Sequence, residues 1–214
     1  MILERFIVGP VETNCYLAAC AGTREAAVID PGEEGLTIVE RCRELDLDVR
    51  WILNTHGHAD HIIGNKAVKF AYPEARIACH PADAPFLTDA QLNLSAMVCF
   101  PATSPPADLL LTEGNVVEVG RIRFRVIHVP GHTPGGICFY AEAGPAVGEK
   151  PVLFSGDALF QNGIGRSDFP GGSHLALVGA IRRKLLILPT ETLVYPGHGE
   201  PTTIGAEKAD NTFL

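Results

Sequence analysis

The chain has 214 residues, 46% hydrophobic and 20% charged, a mix that can bury a full core and contains no disordered tract. Its formal net charge is −8 and its longest basic run is Arg182-Arg183-Lys184, which argues against a nucleic-acid backbone as the main partner. No apolar stretch approaches a membrane span, and the charged start Met1-Ile2-Leu3-Glu4-Arg5 does not read as a signal peptide, so a cytoplasmic protein is expected.

Residues 2–8 and 15–19 read as the two strands of an opening hairpin, and 25–30 as a third, stopped by Pro31-Gly32. Asp30 then falls at a strand end, either as a turn former or as a carboxylate bonded to a metal-binding histidine. Residues 36–45 carry Ile38, Val39, Cys42 and Leu45 at helical spacing. A buried-type strand over 49–54 completes a βαβ unit, whose loop is Thr55-His56-Gly57-His58-Ala59-Asp60-His61. A second helix is expected over 61–71, closed by Pro73, and a short strand over 75–80. His80 precedes Pro81 with no partner near it in the sequence, which suits a surface or helix-capping residue.

From 82 to 114 the pattern weakens, and Pro85, Pro101, Pro105 and Pro106 indicate irregular connection with one short helix. Loops of this length often form lids or binding walls. Phe86, Leu87, Met97 and Phe100 are candidates to face a substrate, although core filling is their simpler role. Residues 116–119 and 121–129 form a hairpin, with Ile122, Phe124 and Val126 alternating against Arg121, Arg123 and Arg125. It runs into Pro130-Gly131-His132-Thr133-Pro134-Gly135-Gly136. The next strand pair, 137–140 and 151–154, ends in Ser155-Gly156-Asp157. Ser173 caps a helix running to Leu186, and 192–195 is the last strand, ending in Pro196-Gly197-His198-Gly199. The cysteines at 15, 20, 42, 79, 99 and 138 show no CxxC pairing and read as reduced core residues.

One grammar recurs four times: apolar strand, tight glycine-containing loop, then a side chain of ligand type. It sets His56, His58, Asp60, His61, His132, Asp157 and His198 at the carboxyl ends of strands, where α/β sheets gather their ligand sites. Imidazole and carboxylate are the donors that zinc and similar divalent ions accept. His56, His58 and His132 make one triad; Asp60, His61 and His198 make a second, with Asp157 bridging. Asp60 and Asp157 stand as the catalytic carboxylates. Two bound dications are therefore expected, zinc first, with iron or manganese as alternatives.

This HxHxDH…H…D…H pattern resembles the metallo-β-lactamase superfamily at every ligand position. The resemblance implies an α/β fold, a four-layer αββα sandwich built of two similar halves in a single domain over residues 1–214, with the metals at one edge of the sheets. Gly156-Asp157-Ala158-Leu159-Phe160 through Gly163-Ile164-Gly165-Arg166-Ser167-Asp168 is similar to the glyoxalase II group, and so is the stretch from Tyr195 to Lys208. That group hydrolyses hydroxyacyl thioesters of glutathione. Full-length glyoxalase II carries a further C-terminal helical segment that holds the glutathione, and this chain, ending at Leu214, looks like the compact bacterial relatives.

The function implied is a binuclear thioesterase using a metal-bridging hydroxide on a small-molecule thioester, with no nucleic-acid or membrane partner. Arg166 and Asp168 read as an ion pair near the site; Thr55 and Thr133 either bond to the ligands or shape the loops. The alternative is a persulfide dioxygenase of the same fold, with one iron on His56, His132 and Asp157. Oligomeric state, acyl group and thiol carrier are not legible in the sequence.

Overall fold

In the first half of the chain, side chains alternate between two apolar environments, and that alternation builds a sheet buried on both faces. The computed structural model describes residues 1–98 and 100–214. Its opening strands are β1 (Ile2–Val8), β2 (Thr13–Ala19) and β3 (Glu25–Ile29), all antiparallel neighbours. Helix α1 (Gly35–Glu44) then crosses over, so β4 (Asp48–Leu53) returns parallel to β3. Along β2, Tyr16 and Ala18 face one apolar layer while Cys15, Leu17 and Ala19 face the other.

Two short helices follow, α2 (Ala59–Ile62) and α3 (Asn65–Ala71), and then β5 (Arg76–Cys79), α4 (Ala84–Thr88) and β6 (Leu109–Leu110). The six strands lie in the order β1-β2-β3-β4-β5-β6. The outer face of this sheet packs on Ile38, Val39 and Cys42 of α1, Ile62 of α2 and Val68 of α3.

The second half makes the second sheet. Its hairpin β7 (Val116–Val119) and β8 (Ile122–His128) leads to β9 (Ile137–Ala141) and β10 (Val152–Gly156), and a small hairpin, β11 (Leu159–Phe160) and β12 (Gly163–Ile164), stands outside it. Helix α5 (His174–Ala180) continues into a π-helical turn, Ile181–Leu185, and this crossover makes β13 (Leu193–Pro196) parallel to β10. Strand β14 (Thr202–Thr203) and helix α6 (Ile204–Asp210) close the chain, giving the order β14-β13-β10-β9-β8-β7.

Ile122, Phe124 and Val126 of β8 point inward to meet Tyr16, Ile29, Trp51 and Leu53 of the first sheet. Leu177, Ile181, Leu185 and Ile204 cover the outer face. The result is helix, sheet, sheet, helix, the four-layer α/β sandwich. Fully burying a Val, Leu, Ile or Phe contributes about 1.5–3 kcal/mol, so three such apolar layers hold the strand ends rigidly in register.

Several expectations need correcting. The single helix expected over 61–71 is two helices, because the chain turns at Ile63-Gly64 and the Gly64 amide bonds to the Pro31 carbonyl at 2.8 Å. The connection from 82 to 114 contains a sixth strand for the first sheet as well as helix α4. The strand ending near residue 195 is not the last, since β14 pairs antiparallel with it. His80 does have a partner: its ring stacks on His128 with centroids 4.1 Å apart. Phe86 and Leu87 are buried, whereas Met97 and Phe100 are exposed. Cys15, Cys20, Cys42, Cys79 and Cys138 are free and buried, as expected; Cys99 lies outside the described residues.

Candidate metal centre

The seven expected residues converge at one edge of the sandwich. The β4 strand ends at Leu53, and the extended segment after it carries His56 and His58 to the edge. Asp60 and His61 sit in the single turn of α2. The loops after β8, β10 and β13 bring His132, Asp157 and His198 from the other sheet. His56, His58 and His132 form one group with donor atoms within 4.8 Å of one another, and Asp60, His61 and His198 form another. Asp157 lies between them, with Oδ1 3.5 Å from His61 Nε2 and Oδ2 3.5 Å from His132 Nε2 and 3.6 Å from His198 Nε2.

Four of the five rings are held from behind. The outer nitrogen of His56 meets the Thr55 hydroxyl at 3.1 Å, and that of His61 meets Asp30 Oδ2 at 3.1 Å. His132 Nδ1 donates to the Arg166 carbonyl at 2.7 Å, and His198 Nδ1 to the Val11 carbonyl at 3.1 Å. Such outer partners fix ring orientation and leave the inner nitrogen free to bind. His56 Nε2, His61 Nε2 and Asp157 Oδ1 are buried with no hydrogen-bond partner. Buried polar atoms are rarely left so, and ions seated in the two groups would satisfy all three. His58 turns its Nδ1 inward instead, 2.9 Å from His132 Nε2.

Asp30, His56 and His61 also lie close enough to form a third group. However, Asp30 Oδ1 already accepts from the Thr55 amide at 2.7 Å, and Oδ2 from the Thr55 hydroxyl at 2.6 Å and from His61. Asp30 therefore backs the site, the second of its two expected roles, from a left-handed conformation at φ 50°.

The electrostatics are those of a packed cluster of bases and acids. Burial first, and then the neighbouring imidazoles, push His56 well down and His58 down to about 3, so both rings are neutral and ready to bind a cation. Burial opposes the charge on His61 and His198, but the carboxylates facing them overcome it and both basicities rise. Asp60 is the converse case: burial alone would raise its pKa, and His61 and His198 hold it well below the carboxylate range. Its Oδ2 also accepts from the Thr13 hydroxyl at 2.8 Å.

Several supporting residues escaped the sequence reading. From β2, Asn14 Nδ2 donates to the Pro196 and Gly199 carbonyls and the Tyr16 hydroxyl donates to Pro196, clamping the His198 loop to the opposite sheet. Asn54 and Asn65 pair behind α2, and Asn65 reaches Ser104 at 2.8 Å. Asp83, fully buried, touches the loops of His58 and His132. Their partners are far away in sequence; Asn14 and Pro196 are 182 residues apart. Arg166 and Asp168 do form the expected ion pair, bidentate at 2.8 Å, with the guanidinium 4.0 Å over the Phe169 ring. Phe169 in turn meets His58 edge-on at 5.7 Å, so this segment walls the first histidine group.

The comparisons agree with this geometry. The sequence profile of the metallo-beta-lactamase superfamily matches residues 8–198. A hydroxyacylglutathione hydrolase, GloC of Haemophilus influenzae, is 37% identical over 216 residues, covering 100% of this chain and 98% of the relative. Among solved structures, the BLEG-1 B3 metallo-beta-lactamase superposes with a TM-score of 0.91 at 38% identity, covering 100% of this chain and 99% of that one. TTHA1623 in a di-iron-bound form gives 0.84 at 35% identity, covering 99% and 100%. With its strand-end His and Asp groups able to bind metal and relatives of this kind along its whole length, the chain is a metallo-hydrolase that belongs to the metallo-β-lactamase superfamily.

Proposed function

We propose that the chain is a binuclear thioester hydrolase of the hydroxyacylglutathione hydrolase type, with His56, His58 and His132 holding one ion, Asp60, His61 and His198 the other, and Asp157 shared between them. The observation that carries this reading is the pair of donor groups on either side of one carboxylate, with buried inner atoms that have no hydrogen-bond partner. Zinc suits the histidine-rich donor set, and iron or manganese is the alternative. The likeness to GloC supports the substrate class, and the likeness to a di-iron form supports two ions. No helix among the described residues is long and apolar enough to cross a membrane, which is compatible with a small-molecule substrate met in the cytoplasm.

When bound, the ions would bring the pKa of a water molecule from 15.7 toward ~7 and polarise the substrate carbonyl. The rest falls to the protein. Asp60 and Asp157, whose carboxylate oxygens lie among the histidine rings, are the acceptors available for a proton leaving that water. Thr13, Thr55 and Asp30 keep the carboxylate and the rings oriented. A thiol with a pKa near ~8.5 leaves as thiolate, so no separate general acid is required. Arg166 is committed to Asp168 and is not free for that role.

The test pairs elemental analysis with an anaerobic substrate panel: acyl thioesters of glutathione and of simpler thiols, a β-lactam, and glutathione persulfide with oxygen readmitted. Close to two ions per chain and release of free thiol without oxygen are expected, and Asp157→Ala should impair retention of both ions. Iron-dependent oxygen uptake with the persulfide, or turnover confined to the β-lactam, would replace this reading by another. Protein that neither carries nor takes up metal would end it.

A further inference from the structure

Helix α4 is preceded by a buried carboxylate that the chemistry above does not use. Asp83 has no exposed surface. Its Oδ2 accepts from the Gly57 amide at 3.0 Å and from the Thr133 hydroxyl at 2.6 Å, and its Oδ1 accepts from the Gly135 amide at 2.6 Å. Gly57 lies between His56 and His58; Thr133 follows His132 directly. One carboxylate thus ties together the two loops that supply the first histidine triad, one from each sheet. Among the described residues no arginine or lysine is a hydrogen-bond or ion-pair partner of Asp83, so the three short bonds are what offset its burial.

The fit around it is tight on both sides. A Cβ on Gly135 would meet the Asp83 carboxylate carbon and amide nitrogen at 2.7 Å each, and one on Gly57 would press into Phe86 and lie 3.1 Å from the Asp83 carbonyl. Phe86, three residues on, has its ring centroid 6.4 Å from that of His58. Both loops come in close enough that only a glycine backbone reaches the carboxylate. The second group has no such tie to Asp83: Asp60 rests on Thr13, His61 on Asp30 and His198 on Val11.

We propose that Asp83 is a positioning residue that sets the spacing between the His56–His58 loop and the His132 loop, and so tunes the first metal site without tuning the second. This rests on the binuclear reading given above. An acceptor is needed in all three bonds, so Asp83→Asn, of the same shape, replaces one acceptor oxygen with an amide that opposes its donor. Asp83→Glu keeps the charge but has an extra methylene that the Gly135 side cannot admit. Thr133→Val removes a single donor and leaves the backbone bonds in place, which guards against a first variant that does not fold.

The experiment is a cobalt(II) titration of metal-free protein, following the visible d–d absorption together with competition by a chromophoric chelator. Wild type should fill in two resolvable steps. In Asp83→Asn one step should weaken by roughly 10- to 100-fold, the range for lost outer partners of metal-bound histidines, with a changed spectrum for that step only. The other step should move by less than about twofold, and Thr133→Val should show the same pattern to a smaller degree. Equal weakening of both steps, with a matching drop in the melting temperature of the metal-free protein, would make Asp83 an ordinary fold-stabilising residue and overturn the proposal. Unchanged titrations in both variants would also overturn it while leaving the binuclear reading intact. Wild-type protein that takes up no cobalt would overturn that reading, and this proposal with it.

Discussion

At the scale of single residues, the site shows how one side-chain type takes opposite charge states within a few ångströms. His56 and His58 are held neutral by burial, while His61 and His198 gain basicity from the carboxylates they face. His80 extends the pattern outside the cluster. Stacked on His128, it is pushed down to about 4 by burial first and by the second imidazole after it. The sign of the consequence follows from proton counting. Above pH 6.5 the ring is neutral in both folded and unfolded chains; between 6.5 and about 4 only the unfolded chain binds the proton. Stability should therefore fall as pH drops through that window. Urea unfolding at its two ends should show a larger loss for wild type than for His80→Asn; equal losses would mean that the stacked pair does not couple folding to pH.

At the scale of elements, the main strands were legible because β8 alternates apolar with charged residues and β2, β3 and β4 stand out as short apolar runs. The capped start of α5 was legible too, since Ser173 accepts from the Ala176 amide at 3.3 Å, as its position before an apolar run implies. What stayed hidden was short or non-periodic. A two-residue strand such as β6 or β14 carries no period, and the break between α2 and α3 interrupts a pattern that reads as continuous. The seven ligand-type residues could be picked out because each stands in or just after a glycine-containing loop that follows a strand. Asp30 was half legible from its strand end, whereas Asn14 and Asp83 announce nothing, because their partners lie on other elements. Gly131 shows how an element depends on such contacts. It sits at φ 133°, its carbonyl accepts from the Ser173 amide at 2.8 Å, and a Cβ there would lie 2.6 Å from that of Leu177. Gly131→Ala should push the His132 loop off α5 and destabilise the protein by about 1–3 kcal/mol, the scale of overpacking plus backbone strain. A denaturation midpoint equal to that of wild type would show that the loop relaxes freely.

At the scale of the whole molecule, the site doubles as a fastener between the two sheets. Each triad draws on both halves of the chain, so ions bound there would favour the assembled sandwich over any state in which the sheets part. A ligand that binds only the folded form stabilises it by about 2.7 kcal/mol at a hundredfold excess over its Kd. Stripping metal with a chelator should therefore lower the melting temperature measured by scanning calorimetry, and restoring zinc should recover it. An identical transition with and without chelator would mean that the metal contributes nothing to holding the sheets together.

The division of the ligands between the two halves also has a meaning in time. His58 precedes His198 by 140 residues. At roughly 5–20 residues per second, a ribosome takes about 7 to 28 s to cover that distance. Until His132 is made, the growing chain offers an incoming cation only part of each triad. His132 completes the first triad well before Asp157 is made, and His198 completes the second only after both. The clamp that Asn14 and Tyr16 place on Pro196 must wait longer still, since 182 residues separate Asn14 from Pro196. Strand β2 is thus made long before β13, which alone supplies the Pro196 carbonyl that Asn14 and Tyr16 bind, so the edge that gathers the metal-binding groups closes only when both sheets have been made.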